Sequence, residues 1–342
     1  MTFVKEYVRL KASDPDIGRL SFIIGVLHMI PADKRIERLT QVARMYYEQD
    51  MNQSEIAKEL GVSRPLVSVL LSEARECGIV TITINNVESA HELLARRLES
   101  RFGLRKAEVV EDAASAEATN DLVAARAYEL CFRSGERPRS VGLGWGSMLG
   151  RMADYAETLP EYSGAVKGRL FPLIGGIGAS YRGYHTNELA RIVSGKAGFE
   201  AEYLYLPAFF DSEAELDFAR RLETWAAVQN GWDTMELALV NISNYPSYPD
   251  LGVEYRFGGL LTERKAVGRL LAHYYDEAGC AIEAKVSNAL QASVEQLRRA
   301  PRTVAVCSTL LRPQSVIGAL GLGVIDTLCL PQSLADKVLE MA

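Results

Sequence analysis

The sequence is poor in everything that would mark a metalloprotein, a secreted protein or a membrane protein. Five cysteines, Cys77, Cys131, Cys280, Cys307 and Cys329, are scattered without C-x-x-C spacing, and the four histidines form no H-x-x-x-H pair. An odd number of thiols in apolar surroundings reads as free, buried cysteine in a reducing cytoplasm, so neither a disulfide framework nor a zinc site is expected, and no metal or other cofactor is assigned. The apolar stretch from Ile17 to Ile30 is too short to cross a bilayer, which takes about 20 residues. Asp14 and Asp16 just ahead of it are wrong for the basic start of a secretory signal. No phosphate-loop lysine, no Ser/His/Asp order and no tight pair of carboxylates appears. Basic excess is missing too: the net charge is −6, so the bulk of the chain is not a nucleic-acid surface. What remains, at 342 residues with 48% hydrophobic and 24% charged side chains, is ordinary globular composition with room for one small and one large domain.

The stretch from Gln53 to Glu76 gives the small domain its character. Ile56, Ala57 and Leu60 place an apolar face on a short helix, Gly61 offers a left-handed turn position, and Val67, Leu70 and Leu71 place a matching face on a second helix. A small residue at the crossing, a glycine in the turn and a β-branched knob on the second helix make a helix-turn-helix. Ser63 is expected to cap the second helix, with Pro65 in its first turn, where a missing N–H costs nothing. Ser63, Arg64, Pro65 and Ser68 then lie at the end that enters a DNA major groove, where Arg64 can pair bidentately with guanine. Gln53 and Ser54 are placed to donate to phosphates. The plainer reading of these residues is two packed helices of any α-rich domain. Residues 34 to 76 hold seven basic and seven acidic side chains. Because affinity for DNA rests largely on phosphate neutralisation, a neutral domain implies dimeric or higher assembly if double-stranded DNA is the partner.

Along the chain, residues 1 to 34 form an N-terminal extension, and Met29 makes a natural start just before the first helix, with an added oligomerisation helix as the alternative. Residues 35 to 86 make up the DNA-binding domain: Arg35 to Gln49 supplies the helix on which the motif packs, and Ile79 to Ile84 alternates with period two, as a strand or wing does. Glu88 to Phe102, with Leu93, Leu94 and Leu98 on one stripe, reads as a linker helix over 87 to 104 and a dimer contact, or equally as the first helix of the next domain. From 105 to 342, short apolar runs at Ala107 to Glu111, Ser140 to Gly144, Arg169 to Ile174, Tyr203 to Pro207, Glu236 to Asn241, Arg302 to Cys307 and Val324 to Leu330 alternate with helical patterns. Among these are Ser212 to Gln229 and Gln332 to Met341. That alternation predicts an α/β, doubly wound, mostly parallel sheet, whose ligands sit at the carboxyl ends of the strands.

Two strand-to-helix loops are rich in glycine. In Val141-Gly-Leu-Gly-Trp-Gly-Ser-Met148, Gly144 and Gly146 leave the backbone bare and Ser147 is placed to cap the next helix, as in an anion site. In Phe171-Pro-Leu-Ile-Gly-Gly-Ile-Gly-Ala-Ser180, Gly175, Gly176 and Gly178 do the same. Together the loops make two lips of a small-molecule cleft, or else merely permit tight turns. A dinucleotide is disfavoured, because the first loop reads G-x-G-x-G and lacks the acidic residue about 20 positions on. Asn187, Asp211 and Asn241 follow strands at the same end and suit the hydroxyls of a sugar or polyol. Trp145, Tyr181, Tyr184 and Phe209 would stack on a sugar face, or pack in the core.

With these residues in hand the chain resembles the SorC family of bacterial sugar-responsive transcriptional regulators. The resemblance is carried by Val42-Ala-Arg-Met-Tyr-Tyr-Glu, Gln53-Ser-Glu-Ile-Ala, Gly61-Val-Ser-Arg, Glu73-Ala-Arg-Glu-Cys-Gly-Ile-Val, Gly142-Leu-Gly-Trp-Gly, Pro172-Leu-Ile-Gly-Gly-Ile-Gly, Asn187-Glu-Leu-Ala and Leu206-Pro-Ala. It implies an effector domain related to the sugar-phosphate isomerase and CoA-transferase-like fold, a tetramer of paired dimers, and operator affinity altered by a sugar or phosphosugar. The chain departs from the family pattern at Val69, where an arginine usually follows the serine, so base reading leans on Arg64. It departs again at Arg269, where the family has a glutamate, and in Cys307-Ser-Thr-Leu-Leu-Arg312, which lacks the family's glycines and lysine. Arg269 and Arg312 are therefore expected to shift selectivity toward a different, acidic sugar. The rival reading is a phosphosugar isomerase-like enzyme with an appended helical domain.

Overall fold

The computed structural model describes residues 32–80, 89–133, 138–178, 180–246 and 253–342. It divides into two compact units, residues 1–86 and 87–342. The expected N-terminal extension up to residue 31 and most of the expected wing at Ile79 to Ile84 lie outside the described residues.

In the first unit three helices, α1 (Ala32–Tyr47), α2 (Gln53–Leu60) and α3 (Arg64–Glu76), share one core of Leu39, Val42, Ile56, Ala57, Val67, Leu70, Leu71 and Ala74. Asn52 caps α2 in a reciprocal box: its side chain accepts from the Ser54 and Glu55 N–H groups, and Glu55 accepts from the Asn52 N–H. Gly61 ends α2 at φ 65°, the left-handed conformation its position calls for. Arg35 Nε donates to Glu73 at 2.6 Å and ties the start of α1 to α3.

The second unit opens with α4 (Ala90–Phe102), closed by Gly103 at φ 67°. Leu94 and Leu98 are buried while Leu93 is exposed. The helix packs on β1 (Lys106–Val110) and on the C-terminal helix, so the expected linker helix is an integral layer of this unit. There follow α5 (Ala116–Phe132), β2 (Ser140–Leu143), α6 (Ser147–Glu157), β3 (Arg169–Pro172), α7 (Thr186–Ala197), β4 (Glu200–Ala201), α8 (Glu213–Ala219), α9 (Glu223–Thr234) and β5 (Leu237–Asn244). The last third holds α10 (Val253–Phe257), α11 (Leu260–Glu263), β6 (Gly268–Leu270), β7 (His273–Tyr275), β8 (Ala281–Ile282), α12 (Val294–Arg299), β9 (Arg302–Val306), α13 (Pro313–Gly321), β10 (Thr327–Pro331) and α14 (Gln332–Met341).

Seven strands run in the order β1-β10-β9-β5-β2-β3-β4, every pairing parallel. Alternation along each strand feeds two cores. On β5, Ala238 and Val240 join one apolar cluster with Phe171, Ala305 and Leu328, whereas Leu237 and Leu239 join the other with Val141, Leu170, Val304 and Cys329. A sheet buried on both faces and covered by helices is the doubly wound architecture expected.

Two expectations fail locally, and one feature had no counterpart in the sequence reading. Tyr203 to Pro207 forms no strand; β4 lies earlier, and Pro207 makes a single bridge to Gly176 because a proline donates nothing to a ladder. The helix expected from Ser212 to Gln229 is two helices broken at Arg220 to Leu222. Leu216 and Trp225 are nine residues apart, which on one continuous helix puts them on opposite sides at about 100° per residue. The break lets both be buried. The antiparallel β6-β7-β8 meander, which continues from the far end of β5, was not foreseen.

Candidate functional site

At the N-terminal end of α3 the backbone of Ser63 is extended, as in a cap, but its side chain makes no capping bond, so its hydroxyl is left to other partners. Pro65 lies in the first turn of α3. Ser63, Arg64, Pro65 and Ser68 are all exposed, as are Ser54 and half of Gln53, while Val67, Leu70 and Leu71 face inward. Sequence reasoning missed Asn52, whose signature was the Asn-x-x-Glu spacing of a capping box.

In the second unit the sheet order changes direction between β2 and β5: from β2 the chain winds toward β4, and from β5 toward β10. Loops at such a switch point part from each other and leave a crevice at the strand ends, which is where open α/β sheets hold ligands. The first glycine loop and Asn241 meet there. Asn241 is buried; its Oδ1 accepts from the Met148 N–H at 3.1 Å, and its Nδ2 donates to the Ile242 carbonyl at 2.9 Å and the Ser243 hydroxyl at 3.0 Å. Asn241 is thus a clamp on the loop. Gly146 has φ 125°, and a β-carbon on it would sit 2.6 Å from the Asn241 side chain, so only glycine fits.

The loop is less bare than its glycines suggest. The Gly144 N–H donates to Leu239 at 2.8 Å, the Gly146 N–H to Gly183 at 2.7 Å, and the Met148 N–H is taken by Asn241. Ser147 is the first residue of α6 and Gly146 its cap, which corrects the expectation that Ser147 caps this helix; the serine is exposed. Trp145 is buried rather than open to stacking. Its Nε1 donates to the Leu271 carbonyl at 3.4 Å, and its ring meets Tyr184 edge-on at 5.3 Å and Phe209 at 6.2 Å.

The second loop is built by pairing. The N–H of Gly175 donates to Leu290 and that of Gly176 to Leu206, both at 2.9 Å. A β-carbon on Gly175 would sit 2.4 Å from the Pro207 carbonyl oxygen, whereas Gly178 is exposed with nothing near. Asn187 does not face a cleft: its Oδ1 accepts from the Leu204 N–H at 2.8 Å and its Nδ2 donates to the Leu204 carbonyl at 3.2 Å, fixing the segment after β4. Asp211 has an exposed side chain, and its carbonyl accepts from the Tyr255 hydroxyl at 2.5 Å.

Arg269 and Arg312 lie apart in kind. Arg269 is buried, pairs through β6 with Ser243, and donates to the Leu271 carbonyl at 3.0 Å and to the Tyr184 hydroxyl at 3.4 Å. Arg312 is exposed; its N–H donates to Asn244 at 3.0 Å, and its guanidinium binds the carbonyls of Tyr245 and Val267.

Two further residues had no obvious signal in the sequence. Arg256 is only 4% exposed. Its guanidinium lies over the rings of Phe209 at 5.0 Å and Phe257 at 4.9 Å, and donates to the Ala272 carbonyl at 3.5 Å, while its Nε has no partner. Burial pushes its pKa down to about 10, so it stays charged near neutral pH. His273 Nε2 lies 2.8 Å from the Ala292 carbonyl and Nδ1 3.3 Å from Gln291 Nε2, which suits a neutral ring protonated on Nε2. Burial holds its pKa below the ordinary imidazole value, with the Arg256 charge adding to the effect. The groove of about 460 Å³ lined by Ile36, Thr40, Arg44 and Met45 lies in the first unit and includes none of the expected ligand residues. Among the described residues no cluster of His, Cys, Asp or Glu is arranged to hold a metal ion, and no helix is long and apolar enough to cross a membrane.

Residues 87–340 match the family model described as a putative sugar-binding domain, and residues 37–77 match region 4 of the sigma-70 factors, itself a helix-turn-helix. The chain belongs to the SorC family of transcriptional regulators. It is 28% identical to the sorbitol operon regulator of Klebsiella pneumoniae over 89% of this SorC-family chain and 98% of that protein. It is 26% identical to the deoxyribonucleoside regulator of Bacillus subtilis, over 84% and 93%. The crystal structure of the full-length sorbitol operon regulator superposes with a TM-score of 0.65 at 27% identity, covering 89% of this chain and 98% of that one. A probable sor operon regulator from Shigella flexneri, with a TM-score of 0.65 at 22% identity over 73% of this chain and 100% of that one, shares the fold. The family therefore joins a DNA-binding helix-turn-helix to a sugar-binding α/β domain, as the sequence motifs imply.

Proposed function

We propose that this SorC-family chain regulates a carbohydrate-utilisation operon in the cytoplasm, binding operator DNA through residues 35–86 and a sugar, polyol or phosphosugar through residues 105–342. The observation that carries the proposal is the exposed array of Ser63, Arg64 and Ser68 at the start of a helix whose other face is wholly committed to the core. Arg64 and Ser68 read bases, while Gln53, Ser54 and Ser63 hold phosphates. The effector occupies the switch-point crevice between β2 and β5, against Ser147, Gly176 and Gly178. Asn241, Gly175 and Asn187 shape this region from behind. The working species is a homo-oligomer, a dimer or a tetramer of paired dimers, because a charge-neutral domain gains operator affinity by doubling its contacts. Ligand shifts the balance between arrangements of the assembly by its difference in affinity for them. The chain is read as a binder and not as an enzyme, because its sequence offers no obvious acid/base carboxylate or lysine at the glycine loops. Turnover of phosphosugars by the purified protein would instead favour the isomerase-like reading.

The test is fluorescence anisotropy with the chain's own upstream DNA, with and without sugars. Arg64→Ala is expected to cost about 1–3 kcal/mol of sequence-selective binding and to leave binding to unrelated DNA nearly unchanged. Equal binding of both sequences by wild type and variant removes Arg64 as a reader.

A further inference from the structure

Helix α3 has two faces of unlike character. At about 100° per residue Val67, Leu70, Leu71 and Ala74 fall within one arc, and all four are buried in the core of the first unit. Pro65, Ser68, Val69 and Ser72 fall within the opposite arc, and none of these four is charged. Val69 is the odd member of that outward face. The half-buried side chains of Val62, Leu66, Ile79 and Val80 pack against the core, and among the described residues Val69, half-buried as they are, is outside that set. Helix propensity does not account for it either: a β-branched residue stabilises a helix less than alanine, lysine or glutamate would at the same outward position. What a valine offers there is a stiff pair of methyl groups, held in the one side-chain rotamer that a helix favours. It stands beside Ser68 and one turn from Pro65, on the surface already assigned to operator DNA.

We infer that Val69 is a specificity-determining residue of the operator interface, its methyl groups lying against the 5-methyl of a thymine in the major groove. The inference rests on the DNA-binding reading of this helix. The groove edges of the bases explain the choice. Guanine, adenine and cytosine show there only donors and acceptors, which a valine would cover without pairing, whereas thymine adds a methyl group to its one acceptor. Covering an unpaired polar group costs free energy and bringing apolar groups together out of water gains it, so one side chain selects for thymine and against the other three bases. Five residues at about 1.5 Å each put Val69 roughly 7.5 Å along α3 from Arg64, so the thymine lies about two base pairs from the guanine assigned to Arg64. Arg64 then reads by pairing, and Val69 by apolar contact.

The test uses the full chain and the duplexes that it selects from a random pool. Each thymine of the selected site is replaced in turn by deoxyuridine, which removes the 5-methyl and leaves every hydrogen-bonding group in place, and binding is followed by fluorescence anisotropy. One thymine in each half-site is expected to be sensitive, the affinity of the wild type falling about 3- to 5-fold for the one methyl lost. Val69→Ala is expected to bind the thymine and uracil duplexes alike. Val69→Thr, which keeps one methyl, should recover part of the difference. Without DNA, V69A is expected to melt at or above wild type, since alanine is the better helix former. A free V69A that melts well below wild type overturns the inference, because the valine would then be a packing element. So does a V69A chain that keeps the wild-type ratio at the sensitive thymine. A selected site indifferent to uracil at every thymine sinks the inference alone; a pool from which no sequence is enriched sinks the DNA-binding reading and the inference with it.

Discussion

Single side chains carry most of the chemistry. Gly175 pairs so closely with the segment at Pro207 that one added methyl group meets a carbonyl oxygen. Gly175→Ala is expected to cost about 1–3 kcal/mol of effector-unit stability, read from denaturant midpoints, whereas the same change at the open Gly178 should cost far less. His273 makes the stability pH-dependent. Its folded-state pKa is lowered by burial and by Arg256, against the opposing influence of the Ala292 carbonyl and Glu295. The unfolded chain therefore takes up the proton first. Stability is fully present above the ordinary imidazole value of about 6.5 and is lost as pH falls below it. Melting temperatures measured between about pH 5 and pH 7.5 should rise with pH, and His273→Gln should flatten the slope. A slope unchanged in that variant would place the titration elsewhere. At this scale the sequence showed which residue types recur in the loops but not their partners. Asn241 and Asn187 look like sugar ligands in the sequence and turn out to clamp backbone, because a buried amide is satisfied by whatever polar group the fold brings nearest. Arg256, flanked by Tyr255 and Phe257, carries no motif, and its stacking on Phe209 is a property of three-dimensional neighbours.

Among the elements, the helix-turn-helix was legible almost residue by residue. Turn glycine and apolar spacing are local and agree, while Ser63 takes the cap position without making the capping bond. The exception, the Asn52 box, sets where α2 begins: Asn52→Ala should cost about 0.5–2 kcal/mol and lower the helicity and melting point of the DNA-binding unit, while Ser63→Ala, which loses no capping bond, should change stability little. Similar losses in both variants would contradict the capping geometry. The break between α8 and α9 and the absent strand at Tyr203 to Pro207 were less legible, since each depends on which side of the sheet or helix finds cover.

For the whole molecule, charge and assembly matter most. A DNA-binding stretch with equal numbers of acidic and basic residues from 34 to 76 gains affinity from repeated phosphate contacts, so log affinity should fall linearly with log salt, with a slope of about −0.9 per phosphate neutralised. Operator binding should be steep in protein concentration where sedimentation shows dimers assembling; a monomer that binds with full affinity would refute the oligomer. The sequence alone determined the helix-turn-helix, the strand-helix alternation of most of the large unit and its mostly parallel sheet, because spacing and alternation act along the chain. The tertiary structure alone decided that β2 and β5 part at a switch point, that amides expected to meet ligand lock loops, and that the Arg256 guanidinium lies over two aromatic rings. Those facts depend on contacts between residues far apart in the chain, and no local pattern encodes what a buried charge will find beside it.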